Sequence, residues 1–584
     1  MEKKENFIFL LKELLSFSSG YKHLYLWAFI FLALTNYFSA KIPDTVKKAI
    51  DASKDTSTSD KIIWFAGMIV FCALLQFLFR VIARILVYRA CREQEHELRD
   101  LLMKKICSFS VRTLSKKSIG DYVTNMAEDT TQVRIFVGFG FIQFANIIMV
   151  YIFCLPFMIE ISPRLTMYAI IPYPLLLLFI AVINHKLYYL NLDMKAKLAE
   201  LTDFISQSVY GIYVIKSFHA MDAFSSKFND ESDELFTKQW RATLYNLILL
   251  PGLIFISSFG EWIIIYLGVP MINSGEITQG DFIAYHGYIS ILIFSSVAVG
   301  FGMSTFNRGF TSWLRLREVY NEEIEPSKEK KTLENPDLLR IEKLEYSYDL
   351  DDVSAFSLKI DKLDLNLNQS IGIFGPIGSG KTTFIKLLSG IYKADNGSYH
   401  FDNKVLGVDD YVNLRDLISY VPQNVFLFSN SIEENISFFE KDVKDKVLEA
   451  IQFADLFSDI EKFENGLETI VGERGIRLSL GQKQRLTLAR AHFRPKSILI
   501  IDDCFSALDT VTEETILQSL IKSDMYKTLL LSSHRISTLK HCEQILVFDK
   551  GQITHIGDHE SLLKNCDYYQ EIWKIQQMFE EVAS

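Results

Sequence analysis

Residues 371–389 read IGIFGPIGSGKTTFIKLLS. IGIF is a short apolar strand, Gly375-Pro376-Ile377-Gly378-Ser379-Gly380-Lys381-Thr382 is a glycine-rich loop, and the run from Thr382-Thr383 onward is an amphipathic helix. Glycines let backbone N–H groups close around phosphate oxygens, and a helix N-terminus adds partial positive charge. Strand, loop and helix in this order make a phosphate-binding loop in its required context. Lys381 is then placed to reach the β and γ phosphates of a nucleotide, and the Thr382 hydroxyl to bind Mg²⁺.

Downstream, SILIID (497–502) ends in Asp502-Asp503. A carboxylate closing a hydrophobic strand beside a phosphate loop is placed to hold Mg²⁺ through water. Further apolar strands fit ISYV (418–421), TLLLSS (528–533) and QILVFD (544–549), alternating with amphipathic helices. Such alternation predicts an α/β domain with a largely parallel sheet.

Upstream, the composition is different. The 584 residues are 49 % hydrophobic with a mean hydropathy of +0.15, high enough to send the search to membrane spans. Spanning the hydrocarbon core takes about 20 apolar helical residues. Six stretches qualify, near 23–43, 62–88, 136–158, 165–183, 244–268 and 282–304. The segments after the second and fourth are long, polar and helical in pattern, and they hold clustered Lys and Arg. The positive-inside tendency places these excursions and both chain ends in the cytoplasm. The N-terminal MEKKENFIFLLKELLSF reads as an interfacial helix, lacking the uninterrupted apolar core of a signal peptide. Residues 321–336, NEEIEPSKEKKTLENP, read as a linker. The expected division is 1–320 membrane domain, 321–336 linker and 337–584 nucleotide-binding domain.

With 61 basic against 71 acidic residues, the net charge of −10 argues against a nucleic-acid partner. Seven scattered cysteines without CxxC spacing form neither a disulfide framework nor a zinc site and read as reduced thiols.

Three more segments complete a pattern: RLSLGQKQR (477–485), Gln423 in YVPQNVFLF, and His534 in LSSHR. With the phosphate loop and Asp502, they resemble the nucleotide-binding domain of ATP-binding-cassette (ABC) transporters over about 330–584. The N-terminal half resembles the membrane domain of the exporter branch. Its segments GDYVTNMAEDTTQVRIFVGFG (120–140), ISPRLTMYAIIP (161–172) and GIYVIKSF (211–218), with Arg80, are similar to the Mdl-type heterodimeric multidrug half-transporters.

The resemblance implies a six-span helical transmembrane domain followed by an α/β domain of the P-loop NTPase, ABC type, with ATP and Mg²⁺ as ligands. Tyr348, in LEYSYD, matches the aromatic that stacks on adenine, an exposed strand tyrosine being the plain alternative. Gln423 matches the glutamine that senses Mg²⁺ and water, and His534 the switch histidine on the γ-phosphate. Leu478 to Gln482 match the signature, whose Ser479 and Gly481, with Gln482, face the nucleotide of the opposite subunit. Ser506-Ala507-Leu508-Asp509 matches the loop that crosses the dimer interface. Gly120-Asp121 and Thr202 to Ser217 match coupling segments, ordinary solvated helices being the alternative.

Two departures stand out. The position after the magnesium Asp is Asp503 where the family has Glu, retracting the catalytic carboxylate by about 1–1.5 Å, and a misplacement near 1 Å costs about 10²-fold in rate. The signature carries Leu480 where glycine is usual, adding bulk beside a phosphate.

The resemblance therefore implies a dimer of half-transporters in the plasma (inner) membrane, exporting an amphipathic small molecule, drug or lipid, with an attenuated ATP site here. A heterodimer is the preferred assembly and a homodimer the alternative. The rival readings are a pseudo-ATPase regulatory subunit and a peptide or siderophore transporter. Among polar residues in the spans, Glu261, Gln143 and Asn146 are cavity candidates. Glu261 would favour cationic substrates if it faced the cavity, a buried hydrogen-bonding or interfacial role being the alternative.

Overall fold

The computed structural model describes residues 17–53, 59–326, 336–348, 356–402, 404–472, 478–506, 508–523 and 525–583. The expected interfacial helix and most of the expected linker lie outside them. The chain divides into two units. One holds the residues up to Cys107 and Lys117–Glu322, the other Ser108–Lys116 and Glu323 onward.

Among the described residues, the first unit is built of helices. Its long elements are α1 (Lys22–Ala52), α2 (Ser59–Cys107), the helical run Ile119–Ile161, α3 (Pro172–Tyr210), α4 (Met221–Asn273) and α5 (Gln279–Asn321). Among the described residues, five helices are long and apolar enough to cross a membrane, and the sixth expected span, 282–304, lies inside α5. Only 6 % of the apolar window of α2 is buried inside the chain, which leaves its apolar surface for lipid or for another chain. Several helices outrun their apolar stretches. α3 and α4 continue as a polar pair joined by Lys197, whose Nζ lies 2.6 Å from Glu234 and 3.2 Å from Glu200. Starts are set by capping boxes, with Ser118 and Asp121 before the helix at Ile119, and Thr278 and Asp281 before α5.

The second unit contains two sheets. A four-stranded antiparallel sheet has the order β2-β1-β4-β5, with β1 Leu338–Ser347, β2 Ser357–Asn366, β4 Asn396–Phe401 and β5 Lys404–Gly407. A six-stranded sheet has the order β10-β9-β3-β8-β7-β6. Here β3 is Ser370–Phe374, β6 Ile418–Val421, β7 Ile498–Asp502, β8 Thr528–Ser532, β9 Gln544–Asp549 and β10 Gln552–Gly557. All its pairings are parallel except β9 with β10.

Both faces of the larger sheet are covered. Ile371, Ile373, Ile498, Ile500 and Leu530 pack on one side with Phe384 and Ile385 of α6 (Lys381–Leu388). Leu499, Ile501, Leu529 and Leu531 pack on the other, with Leu486 and Leu488 of α7 (Leu480–Phe493). Burial on two faces is why these strands are unbroken apolar runs in the sequence.

The short segment Ser108–Lys116, from the N-terminal half of the sequence, belongs to this second unit. Its Arg112 donates to Asp395 at 2.8 Å and to the Ser347 carbonyl at 3.1 Å, with its guanidinium over the Tyr346 ring. Gly120-Asp121, the neighbouring expected coupling position, falls in the first unit.

Candidate nucleotide site

The site is assembled from the C-terminal ends of four adjacent parallel strands, β3, β8, β7 and β6. Ile373 pairs with Ser532, Ser532 with Asp502, and Val421 with Ile501. That register sets side by side the loop after β3, the turn holding His534, the Asp502-Asp503 pair and the turn holding Gln423. Carboxyl ends of parallel strands are where open α/β sheets bind ligands.

The loop needs its glycines. Gly375 has φ +152° and a Cβ there would lie 2.3 Å from the Phe548 carbonyl oxygen. Gly378, at φ +80°, faces open space. Lys381 is buried and donates to the carbonyls of Gly375 at 2.7 Å and Pro376 at 2.9 Å. Burial pulls its ammonium down to about 8, against the opposing charges of Asp503 and Asp502.

Thr382 Oγ1 donates to Asp502 Oδ1 at 3.3 Å. Burial pushes Asp502 above the usual carboxylate range, while the Thr382 and Ser532 hydroxyls draw it back. The Ser379 hydroxyl is buried without a hydrogen-bond partner among the described residues. Buried polar atoms are rarely left unpaired, and this one, with the Thr382 hydroxyl and the Asp502 carboxylate, forms a hard oxygen set that fits a phosphate-bound divalent cation.

Asp503 has φ +45°, a left-handed conformation unusual for any residue but glycine. Its N–H donates to Ser532 O at 3.0 Å, and Gln423 Nε2 donates to its Oδ2 at 3.2 Å. His534 is held below the ordinary imidazole range by burial and by Lys381, with Asp503 opposing. A neutral ring suits a hydrogen bond to a phosphate oxygen. Tyr348 is half exposed, and its hydroxyl lies 3.0 Å from Thr383 Oγ1 while its ring contacts Tyr346 and Tyr392.

The hydrogen bonds of the signature residues run elsewhere than to this cluster. Ser479 caps α7 and forms a reciprocal box with Gln482, whose amide donates to Asp459 at 3.0 Å. Leu480 is 58 % exposed. Asp509 caps α8 (Thr510–Lys522), and Ser506 donates to the Asp503 carbonyl at 3.2 Å.

Sequence reading missed the residues that hold the His534 turn. Gln576, on α9 (Asp567–Ala583), donates to the His534 carbonyl and accepts from the Ile536 N–H, each at 2.8 Å. Glu513, buried on α8, accepts from Arg535 at 2.9 Å and from the Thr538 hydroxyl. No local motif announces either, since each acts on a turn more than twenty residues away.

Residues 25–296 match the ABC transporter transmembrane region, and residues 358–506 match the family described as ABC transporter. A probable multidrug resistance ABC transporter ATP-binding/permease protein, YheI of Bacillus subtilis, is 29 % identical, covering 97 % of this chain and 98 % of that protein. The multidrug resistance-like ATP-binding protein MdlA of Buchnera aphidicola (strain Sg) is 28 % identical, over 96 % and 97 %. In fold, the chain is similar to a bacterial Atm1-family ABC exporter solved with ATP bound, with TM-score 0.79, 22 % identity and coverage of 95 % and 98 %. A transmembrane region and an ATP-binding domain on one chain, each matching its own family description, have one meaning: the chain belongs to the ATP-binding-cassette transporters, multi-pass membrane proteins that couple ATP hydrolysis to transport.

Proposed function

We propose that this chain is one half of a dimeric exporter that expels an amphipathic small molecule from the cell at the expense of ATP. The observation that carries the reading is the separation within one chain of the phosphate loop from the signature residues. One chain then supplies half of each site, and a second half-transporter must supply the rest. Exposed apolar side chains support this: Ile377 (91 %) and Leu480 (58 %) stand on the phosphate loop and the signature, the two segments that family resemblance brings together across the dimer. Near full-length similarity to proteins named for multidrug resistance supports the direction and the class of cargo.

In this reading Lys381 and the loop amides bind the phosphates, Tyr348 stacks on the base, and Ser479, Gly481 and Gln482 complete the partner's pocket. Thr382, Asp502 and Gln423 would hold Mg²⁺, which would neutralise charge developing on the phosphates. Asp503 takes the part of the base that orients water, one methylene short, and His534 donates to the γ-phosphate. The site is therefore slow. The nucleotide-binding unit and both termini face the cytoplasm of a cell whose plasma (inner) membrane carries the spans, and a heterodimer is the preferred assembly.

The test is ATP-dependent accumulation of an amphipathic dye in inverted membrane vesicles carrying the full chain and its co-purified partner. Accumulation that needs ATP and is lost in Lys381→Ala is expected. Hydrolysis without movement of any dye, whatever its charge, would sink the export reading and favour a regulatory subunit.

A further inference from the structure

Within the membrane unit, α1, α2, the Ile119–Ile161 run and α5 line a half-open cavity of about 290 Å³. Arg80 and Arg84, one turn apart on the same face of α2, line it together with Asn36, Gln143 and Asn146. Glu261 does not line it, and neither does any other Asp or Glu among the described residues. The charge of this cavity is the opposite of what an inward-facing Glu261 would give.

Both arginines lie inside the apolar stretch 62–88, where an ionised side chain is costly and needs a partner. Further along α2 the arginines do have such partners. Arg89 pairs with Glu93 at 2.9 Å, and Arg92, Arg99 and Arg134 converge on the buried Glu95 at 3.0, 3.0 and 3.1 Å. Arg80 and Arg84 have no ion pair or hydrogen bond among the described residues. One neutral acceptor on the wall is already engaged: Asn146 Oδ1 accepts from Asn36 Nδ2 at 3.1 Å. Leu32, Val87 and Phe141 supply its apolar wall, and Phe294 stands at its open side.

We infer that this cavity binds the acidic head (carboxylate, sulfonate or phosphate) of an amphipathic organic anion, with Arg80 and Arg84 as its counter-charges and the apolar wall as the seat of its body. Two adjacent guanidinium forks suit the planar or tetrahedral oxygens of such a head, and the anion removes the repulsion between them. The volume suits a small drug-sized molecule or one part of a larger one. The inference names the cargo class of the proposed exporter and rests on that reading for the cargo role, though not for the binding.

The test uses the full chain with its native partner in nanodiscs of purely zwitterionic lipid, without nucleotide. Anisotropy titrations compare an anionic dye, sulforhodamine, with a cationic one of similar body, rhodamine 6G. The anionic dye is expected to bind more tightly, and R80Q with R84Q to weaken it by about tenfold or more, while R80K with R84K keeps the charge without the fork and falls between the two. Preference of the unaltered protein for the cationic dye, or equal anion affinity in the double glutamine variant, overturns the site. The first comparison needs no variant, so a failure of R80Q/R84Q to assemble does not rescue the idea. Phosphatidylglycerol added to the nanodisc separates the two sources of the head. Displacement of the dye identifies a lipid phosphate, and undisturbed binding identifies a free organic anion. In vesicles, anion binding without ATP-driven movement leaves the site standing and removes the export reading. Movement of cationic dyes alone does the reverse.

Discussion

Asp503 holds a short carboxylate at φ +45° with one oxygen already taken by Gln423. Aspartate is among the residues that tolerate this backbone region best, so the residue suits the turn even as it shortens the reach to water. Asp503→Glu restores the missing methylene, and steady-state ATP turnover of the assembled transporter should rise by about 10- to 100-fold if this site limits it. A phosphate-release assay decides the matter. Unchanged turnover would assign hydrolysis to the partner's site. The neighbouring Lys381 makes a pH prediction. Its ammonium is drawn down to about 8 by burial, and phosphate anions beside it must raise it again. Binding therefore takes up a proton once the free site has lost it. Nucleotide affinity should be flat below about pH 8 and fall, by up to about tenfold per unit, above it. Titration of a fluorescent ATP analogue across that range checks this, and a flat profile to pH 10 or so would remove Lys381 from direct phosphate contact.

At the level of elements, legibility followed burial. β3, β6, β7 and β8 were readable because two-sided burial writes them as continuous apolar runs, and the motifs sit where those strands end. The antiparallel sheet went unread although SLKIDKLDLN alternates, because its role comes from packing on α6 rather than from any motif. The positioning residues were invisible for a related reason. Gln576 lies 42 residues after His534 and meets its turn only through the docking of α9. Gln576→Ala removes both bonds to the turn and should lower kcat for ATP by about tenfold while leaving KM within about twofold, the split expected of a residue that aims His534 rather than one that binds nucleotide. Gln576→Glu keeps the acceptor for the Ile536 N–H and loses the donor to the His534 carbonyl, so it should fall between the two. Equal loss of kcat and thermal stability in both variants would instead mean that the helix only props the fold.

For the whole molecule, the decisive quantity is the number of different chains in the assembly. In the proposed dimer, Asp503 would act in the pocket formed on its own phosphate loop, whereas Leu480 would belong to the signature that closes the partner's pocket. In a heterodimer the two departures fall in opposite sites, and each site carries one. In a homodimer both fall in every site, and turnover should be very slow. Native mass spectrometry of the tagged full chain, extracted gently from its own membrane, separates these cases. Two subunit masses are expected. Asp503→Glu then accelerates one of two unlike sites, and a Leu480→Gly exchange acts on the other, so their effects on turnover should combine without interference. A single species at twice 67.3 kDa would place Asp503 and Leu480 in the same pocket, where the two reversions should be strongly non-additive, and the regulatory reading would take over from the exporter.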